Sequence, residues 1–234
     1  MIVAQVHARH PRVALYYAPP ASSAWWREGC EWLGRDPESG RESTTPAHDV
    51  TQAPRRYGWH ATLVAPFHMA PGVELADVLA SARAWAGTVP RFEIAMRAEA
   101  LGRFAALRPA AAQDDATLRA LAGDALIALA PLRKRPSHES IERRITEGMS
   151  ARQIELLREW GYPYVFDEYR FHMTLSDSLD DAGQRDAVVS DWTRRVDMLG
   201  ALPVHGAALF VEPEPGAPFM LWQRLPFNNV QDGA

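Results

Sequence analysis

Cysteine is nearly absent: Cys30 is the only one among 234 residues. A lone cysteine closes no intrachain disulfide and builds no cysteine-rich zinc cluster, so a reducing compartment is expected, with the cytoplasm as the location. Long apolar runs are lacking as well. The Ala-rich stretch from Leu118 to Leu132 is interrupted by Arg119, Gly123 and Asp124, short of the roughly 18 uninterrupted apolar residues that a membrane span requires. Met1 to Pro20 carries His7, Arg9, His10 and Arg12 where a secretion signal would have its apolar core, so neither export nor a membrane partner is expected. Excess charge of one sign is missing too. With 25 basic and 29 acidic residues the net charge is −4, which gives no global attraction to a nucleic-acid backbone, and any polyanion has to be met locally. There is no glycine-rich phosphate loop and no Ser-His-Asp signature. His68 follows His60 by eight residues, beyond Pro66, without partners at metal-ligand spacing; the sequence asks for no metal and no cofactor.

What is present describes an ordinary folded chain. Hydrophobic residues at 47% and charged residues at 23% are close to soluble globular averages, and the length suits one large domain or two packed lobes. Val13 to Tyr17 reads as a strand stopped by Pro19-Pro20, followed by a helix capped at Ser22 or Ser23 and ended by Gly34. Asp36 to Pro54 reads as loop, Trp59 to Val64 as a strand closed by Pro66, and Val73 to Gly87 as an amphipathic helix. Strands are expected at Phe92–Met96 and Phe104–Leu107. Helices follow over Asp114–Leu132, capped by Asp114 or Asp115, and over Ser150–Trp160, ended by Gly161. Tyr169 to Leu175 reads as a strand, Asp181 to Leu199 as a helix, and Val204–Glu212 and Phe219–Arg224 as closing strands.

Two of these segments echo one another. Tyr57-Gly58-Trp59-His60-Ala61-Thr62-Leu63 shares Tyr, an aromatic, His, Thr and Leu at identical offsets with Tyr169-Arg170-Phe171-His172-Met173-Thr174-Leu175. With this chain's own composition, roughly 0.03 occurrences of His-x-Thr-Leu are expected by chance, and two are present. Strand side chains alternate between faces, so His60 with Thr62, and His172 with Thr174, project from one side at roughly 7 Å spacing. Trp59, Ala61 and Leu63, and Phe171, Met173 and Leu175, then face the core. A single histidine of this kind is more often a hydrogen-bonded structural residue; two matched copies reverse that preference. Histidine titrates near neutrality and serves as base or acid. Threonine hydroxyls donate to the oxygens of a phosphoryl group. Two histidines and two threonines therefore suit phosphodiester cleavage.

Paired His-x-Thr-hydrophobic strands in the two halves of such a chain resemble the 2H phosphoesterase superfamily. The resemblance implies a bilobal α+β fold, with antiparallel-sheet lobes flanked by helices around a central cleft. Lobe one would run roughly over 11–112 and lobe two over 113–228 of a single bilobal domain spanning 1–234. It also implies metal-independent action on 2′,3′-cyclic phosphates, related esters or RNA ends, with His60 and His172 catalytic and Thr62 and Thr174 on the phosphate. Trp32-Leu33-Gly34-Arg35-Asp36, Arg56 through Leu63 with Pro66-Phe67, Arg143-Arg144, and Trp160 through Val165 on to Leu175 are similar to a bacterial subfamily associated with phosphonate-degradation operons. Members often carry Phe at the place of Trp59 and Lys at the place of Val64, so this chain lacks a charge there. That association suggests a ribose cyclic phosphate as substrate.

Other residues carry weaker signals. Leu132 to Gln153 is the most basic stretch, read either as a solvated connection or as a clamp in which Arg143 or Arg144 grips a second phosphate. Tyr57 and Tyr169 have core parity, and Arg56 has cleft parity if its strand starts that early. His7, His10, His48, His138 and His205 read as surface or structural residues. The expected partner is a small phosphorylated substrate, with short RNA as the alternative, and no obligate protein partner is evident. Two competing functions stand beside hydrolysis of a cyclic phosphate: RNA end processing, and a non-catalytic module that binds nucleotides or phosphoesters.

Overall fold

The opening run of strand formers becomes β1 (Arg12–Tyr17), with Val13 to Tyr17 at 1% exposure or less. The computed structural model describes residues 11–43 and 49–229. The reading of the first residues as lacking a leader, and the roles given to His7, His10 and His48, fall outside them. In chain order there follow α1 (Ala24–Leu33), α2 (Gln52–Tyr57), β2 (Ala61–His68), α3 (Leu75–Ala86), β3 (Phe92–Ile94), β4 (Met96–Leu101), β5 (Phe104–Pro109) and α4 (Ala112–Leu129). The remainder is α5 (His138–Glu142), α6 (Ala151–Trp160), β6 (Met173–Thr174), α7 (Ala182–Leu199), β7 (Leu202–Val204), β8 (Gly206–Glu212) and β9 (Met220–Pro226).

Seven strands pair antiparallel in the order β4-β5-β6-β2-β1-β8-β9, and β3 with β7 forms a second, small antiparallel sheet. Helices flank them, α7 against β4 and β5, α4 against β2 and α3, and α3 also against β9. This is the α+β class, antiparallel sheets with flanking helices, that the sequence led us to expect. The large sheet has two parts, β4-β5-β6 and β2-β1-β8-β9, joined where Ala61 pairs with Met173.

Several boundaries depart from the sequence reading, each for a local reason. β2 does not close at Pro66 but runs to His68, because the register slips there: Leu15 faces Val64, Val13 faces Phe67, and Ala14 is left opposite a bulge holding Ala65 and Pro66. A bulge is where a strand tolerates a residue with no N–H to give. The Tyr169–Leu175 segment contributes only Met173 and Thr174 to the ladder. Phe92–Met96 divides at Ala95 between the two sheets. Ala111, not Asp114 or Asp115, is the residue before α4, and both aspartates lie in its first turn, where a negative charge favours the helix dipole. The Asp36–Pro54 loop ends in the start of α2. The helix stops read from Gly34 and Gly161 hold: both are left-handed, at φ 70° and 72°.

Candidate active site

The pairing of Ala61 with Met173 fixes the geometry of both motifs. That is the one pair of the ladder between β2 and β6; continued by one residue, the antiparallel register directs His60 toward Thr174 and Thr62 toward His172. Alternation puts all four on one face, and side chains directly opposite approach to roughly 5 Å at Cβ. The other face is core, as parity required: Trp59, Ala61, Leu63, Phe171, Met173 and Leu175 are all 3% exposed or less. Trp59 stacks on Trp192 of α7, ring centroids 5.1 Å apart. Tyr169 clamps the junction from the buried side, its hydroxyl donating to the Thr62 carbonyl at 2.8 Å.

The two histidines are oriented by the same device. His60 Nδ1 donates to the Gly58 carbonyl and His172 Nδ1 to the Arg170 carbonyl, both at 2.8 Å and both two residues upstream. A carbonyl only accepts, so each Nδ1 carries the proton and each ring, when neutral, presents Nε2 as its acceptor. Thr62 Oγ1 lies 3.4 Å from His60 Nε2 and donates to it. Gly58 reaches its position with φ 82° and ψ 178°, a conformation open in practice to glycine alone.

Burial disfavours the charged form of both rings. Burial pushes His60 down to about 4, against the Gly58 bond that favours the cation, with His172 adding a repulsive contribution. His172 is lowered by burial first and then by the charge of Arg108, again opposed by its own backbone bond. Arg108 follows from the register: Leu107 pairs with Met173, so Arg108 is across from His172 on the same face. It is tied at 3.2 Å to Asp115.

A cavity of about 220 Å³ opens beside these groups, lined by His60, Thr174, Tyr57, Phe104 and residues of the turn that follows the second motif. His172 meets it through Phe104, ring centroids 5.9 Å apart. Tyr16 of β1, across from Thr62, stacks on the His60 ring at 3.9 Å. Asp177, just past the second motif, accepts from the backbone N–H of Gln52 and Ala53 at 3.0 and 2.7 Å and so caps α2, the helix that leads into the first motif. Tyr57 departs from its core parity because α2, not a strand, carries it. It stacks on Phe219 at 5.3 Å and faces the cavity.

The arginines fare differently from the histidines. Arg56 pairs with Glu212, which also holds Arg12, and donates to the Ala217 carbonyl at 3.4 Å. Arg143 is exposed, 3.7 Å from Glu139 of α5. Arg144 donates to the Gly161 carbonyl at 2.8 Å and lines a different, larger cavity. Tyr16 and Arg108 were missed from sequence. Each lies on a strand at cleft parity, but parity names a face only after pairing is known. Among the described residues no three His, Cys, Asp or Glu side chains gather as a metal site, and no helix is long and apolar enough to cross a membrane.

A family model described as "Protein of unknown function (DUF1045)" matches residues 62–220, more than half of the chain. A Laribacter hongkongensis (strain HLHK9) protein named ribose 1,5-bisphosphate phosphokinase PhnN is 43% identical over 224 residues, covering 90% of this chain and 50% of that protein. A Janthinobacterium sp. (strain Marseille) protein of the same name is 35% identical over 241 residues, covering 95% and 52%. The chain thus spans about half the length of the curated relatives it matches. Among solved structures, E. coli LigT complexed with 3′-AMP is similar at 14% identity and a TM-score of 0.45, over 94% of this chain and all of that one. A crystal structure of a phosphoesterase is similar at 13% identity and a TM-score of 0.44, with the same coverage.

Proposed function

The chain belongs to the family described as protein of unknown function DUF1045, and we propose that it is a phosphoesterase in which His60 and His172 form an acid and base pair acting on a phosphodiester, a cyclic phosphate in the first instance. The observation that carries this reading is the pairing of Ala61 with Met173, which sets the two His-x-Thr motifs side by side, with both Nδ1 atoms engaged by backbone carbonyls and each Nε2 held only by a neighbouring hydroxyl, at most, that a substrate can displace.

Hydrolysis then proceeds with every proton accounted for. One neutral Nε2 takes a proton from water as the water oxygen bonds to phosphorus. The other histidine, charged, gives its Nε2 proton to the ester oxygen as the phosphorus–oxygen bond breaks, leaving a phosphate monoester and an alcohol. The Thr62 and Thr174 hydroxyls donate to the non-bridging oxygens. Which histidine serves as base depends on which ester oxygen departs. The arrangement is the one implied by the resemblance to 2H phosphoesterases.

The curated relatives are named for action on ribose 1,5-bisphosphate. The chain has no glycine-rich phosphate loop, so we take from that name only a phosphorylated ribose as the substrate class; the cyclic ester comes from the two-histidine chemistry and not from the relatives. RNA end processing uses the same four side chains with a ribose hydroxyl in place of water, and the assay separates it from hydrolysis.

The test is turnover of ribose 1,2-cyclic phosphate with a 5-phosphate, 2′,3′-cyclic nucleotides and a short RNA, for wild type, His60→Ala and His172→Ala, in excess chelator. Each substitution should lower kcat by about 10²- to 10⁴-fold, and the preferred substrate distinguishes small-molecule hydrolysis from RNA processing. Turnover indifferent to both substitutions would overturn the assignment. Tight binding without turnover would make the chain a binding module.

A further inference from the structure

The larger cavity, about 910 Å³, lies between the end of β2, the segment after α4 and the end of α6. Six cationic side chains reach it, Arg12, Arg133, Lys134, Arg135, Arg144 and Arg158, against one carboxylate, Glu159. Two of the six are committed, Arg12 to Glu212 and Arg158 to Glu142. The other four take part in none of the ion pairs among the described residues. Arg133 is part-buried, donates at 2.9 Å to the Trp160 carbonyl and sits 5.6 Å over the Phe67 ring. Arg144 likewise donates to a backbone carbonyl, that of Gly161. Withdrawing the Arg133 guanidinium from water without a counter-charge is costly, and an anion entering from solvent removes that cost; Lys134, Arg135 and Arg144 are exposed and can turn toward the same anion.

The cavity is aligned with the histidines. Arg12 and Tyr16 are on the same face of β1, roughly 13 Å apart along the strand. Tyr16 stacks on His60 and Arg12 lines the cavity. Arg12 also sits 5.7 Å over Phe219, which stacks on Tyr57 in the wall of the smaller cavity.

We propose that this cavity is a second anion subsite, in which Arg133, Lys134, Arg135 and Arg144 hold a terminal phosphate monoester of the same molecule whose diester lies on His60 and His172. The substrate class is therefore a small cyclic phosphodiester carrying a second, terminal phosphate. The assignment rests on the two-histidine reading for its chemistry, and the test separates the two.

Two measurements apply. The first compares kcat/KM for a pentose cyclic phosphate with and without a terminal phosphate, in wild type and in Lys134→Gln/Arg135→Gln. Wild type should prefer the doubly phosphorylated compound by about 100-fold, and the double variant should lose about tenfold or more of that preference, in line with one or two charge-assisted bonds. The second uses the fact that Lys134 is the chain's only lysine. Acylation at Lys134, followed by peptide mass spectrometry, should be slowed several-fold by millimolar inorganic phosphate in wild type and in His60→Ala alike. Absence of protection overturns the subsite, whatever the histidines do. Protection without any preference for the terminal phosphate overturns its link to the substrate. Faster turnover of a 5′-hydroxyl RNA with a cyclic end than of the doubly phosphorylated pentose overturns the small-molecule class. Protection at Lys134 combined with turnover that ignores His60 and His172 removes the two-histidine reading and leaves the anion site standing.

Discussion

His60 and His172 are positioned by the backbone two residues behind them, and burial lowers the pKa of both. Both residues, and the two threonines, were legible in the sequence as candidates, because a doubled His-x-Thr pattern puts each His and its Thr on one side of the chain at a fixed spacing, whichever face pairing later makes that side. The tautomer was not legible, since it depends on where the Gly58 and Arg170 carbonyls turn. The lowered pKa values carry a prediction. In the free protein the productive form has one histidine charged and one neutral, and this form peaks between two values that both lie below the ordinary 6.5. On the two-histidine reading kcat/KM, which reports the free protein, falls as pH rises through about 6.5. The kcat profile should hold to higher pH, because a bound phosphate anion favours the imidazolium. A pH series of initial rates checks both limbs, and a kcat/KM that climbs to a plateau above about pH 7 would contradict the assignment.

At the scale of elements, the sequence indicated helices and strands well wherever caps and periodicity agreed. Ser23, Ser150 and Asp181 each cap the helix they precede, and Gly34 and Gly161 end theirs. It misjudged the strand extents around the motifs, because a ladder lasts only as long as its neighbour: β6 is two residues long, and β2 extends past a proline with a bulge to accommodate it. The block Trp32-Leu33-Gly34-Arg35-Asp36 proves to be scaffolding. Trp32 Nε1 donates to the Leu175 carbonyl at 2.8 Å, and buried Arg35 donates to the Phe219 carbonyl at 2.6 Å, fastening α1 to the second motif and to the approach to β9. Gly29 of α1 leaves the space that the Trp59 ring fills; a methyl there would fall 2.1 Å from ring atoms. Gly-to-Ala in a helix ordinarily stabilises by about 1 kcal/mol, so the sign of Gly29→Ala is diagnostic. Overpacking should make it destabilising by about 1–3 kcal/mol, with a fall in kcat because His60 follows Trp59. Denaturant unfolding and initial rates would show it, and a stabilised variant would mean that Trp59 does not seat there.

For the molecule as a whole, the seven-stranded sheet matters because it is continuous across the two motifs. Charge also links distant segments. Glu212 of β8 is 1% exposed and bridges Arg12 of β1 and Arg56 of α2, which holds it down to about 2, desolvation opposing and the arginine bonds and the Gly216 N–H prevailing. A carboxylate lowered on folding adds stability that is complete above its unfolded value near 4.5 and is lost as pH falls toward 2. Glu212→Gln should therefore be less stable than wild type at pH 7, by about 3 kcal/mol, the low end for breaking a buried pair because both arginines are a third exposed. The difference should shrink steadily as pH falls from about 4.5 to 2. Thermal unfolding of both proteins across that range would test it, and a difference that does not vary with pH would remove the charge from the explanation. By itself the sequence determined the α+β class and the core faces, and it put His60 with Thr62, and His172 with Thr174, on one side of their segments, because periodicity and side-chain alternation are local properties. Tertiary structure alone decided that the two motifs face one another through Ala61 and Met173. It also decided that Arg56 serves Glu212, and that the basic stretch around Lys134 lines a cavity on the histidines' side, because pairing register and long-range contacts depend on parts of the chain far apart in sequence.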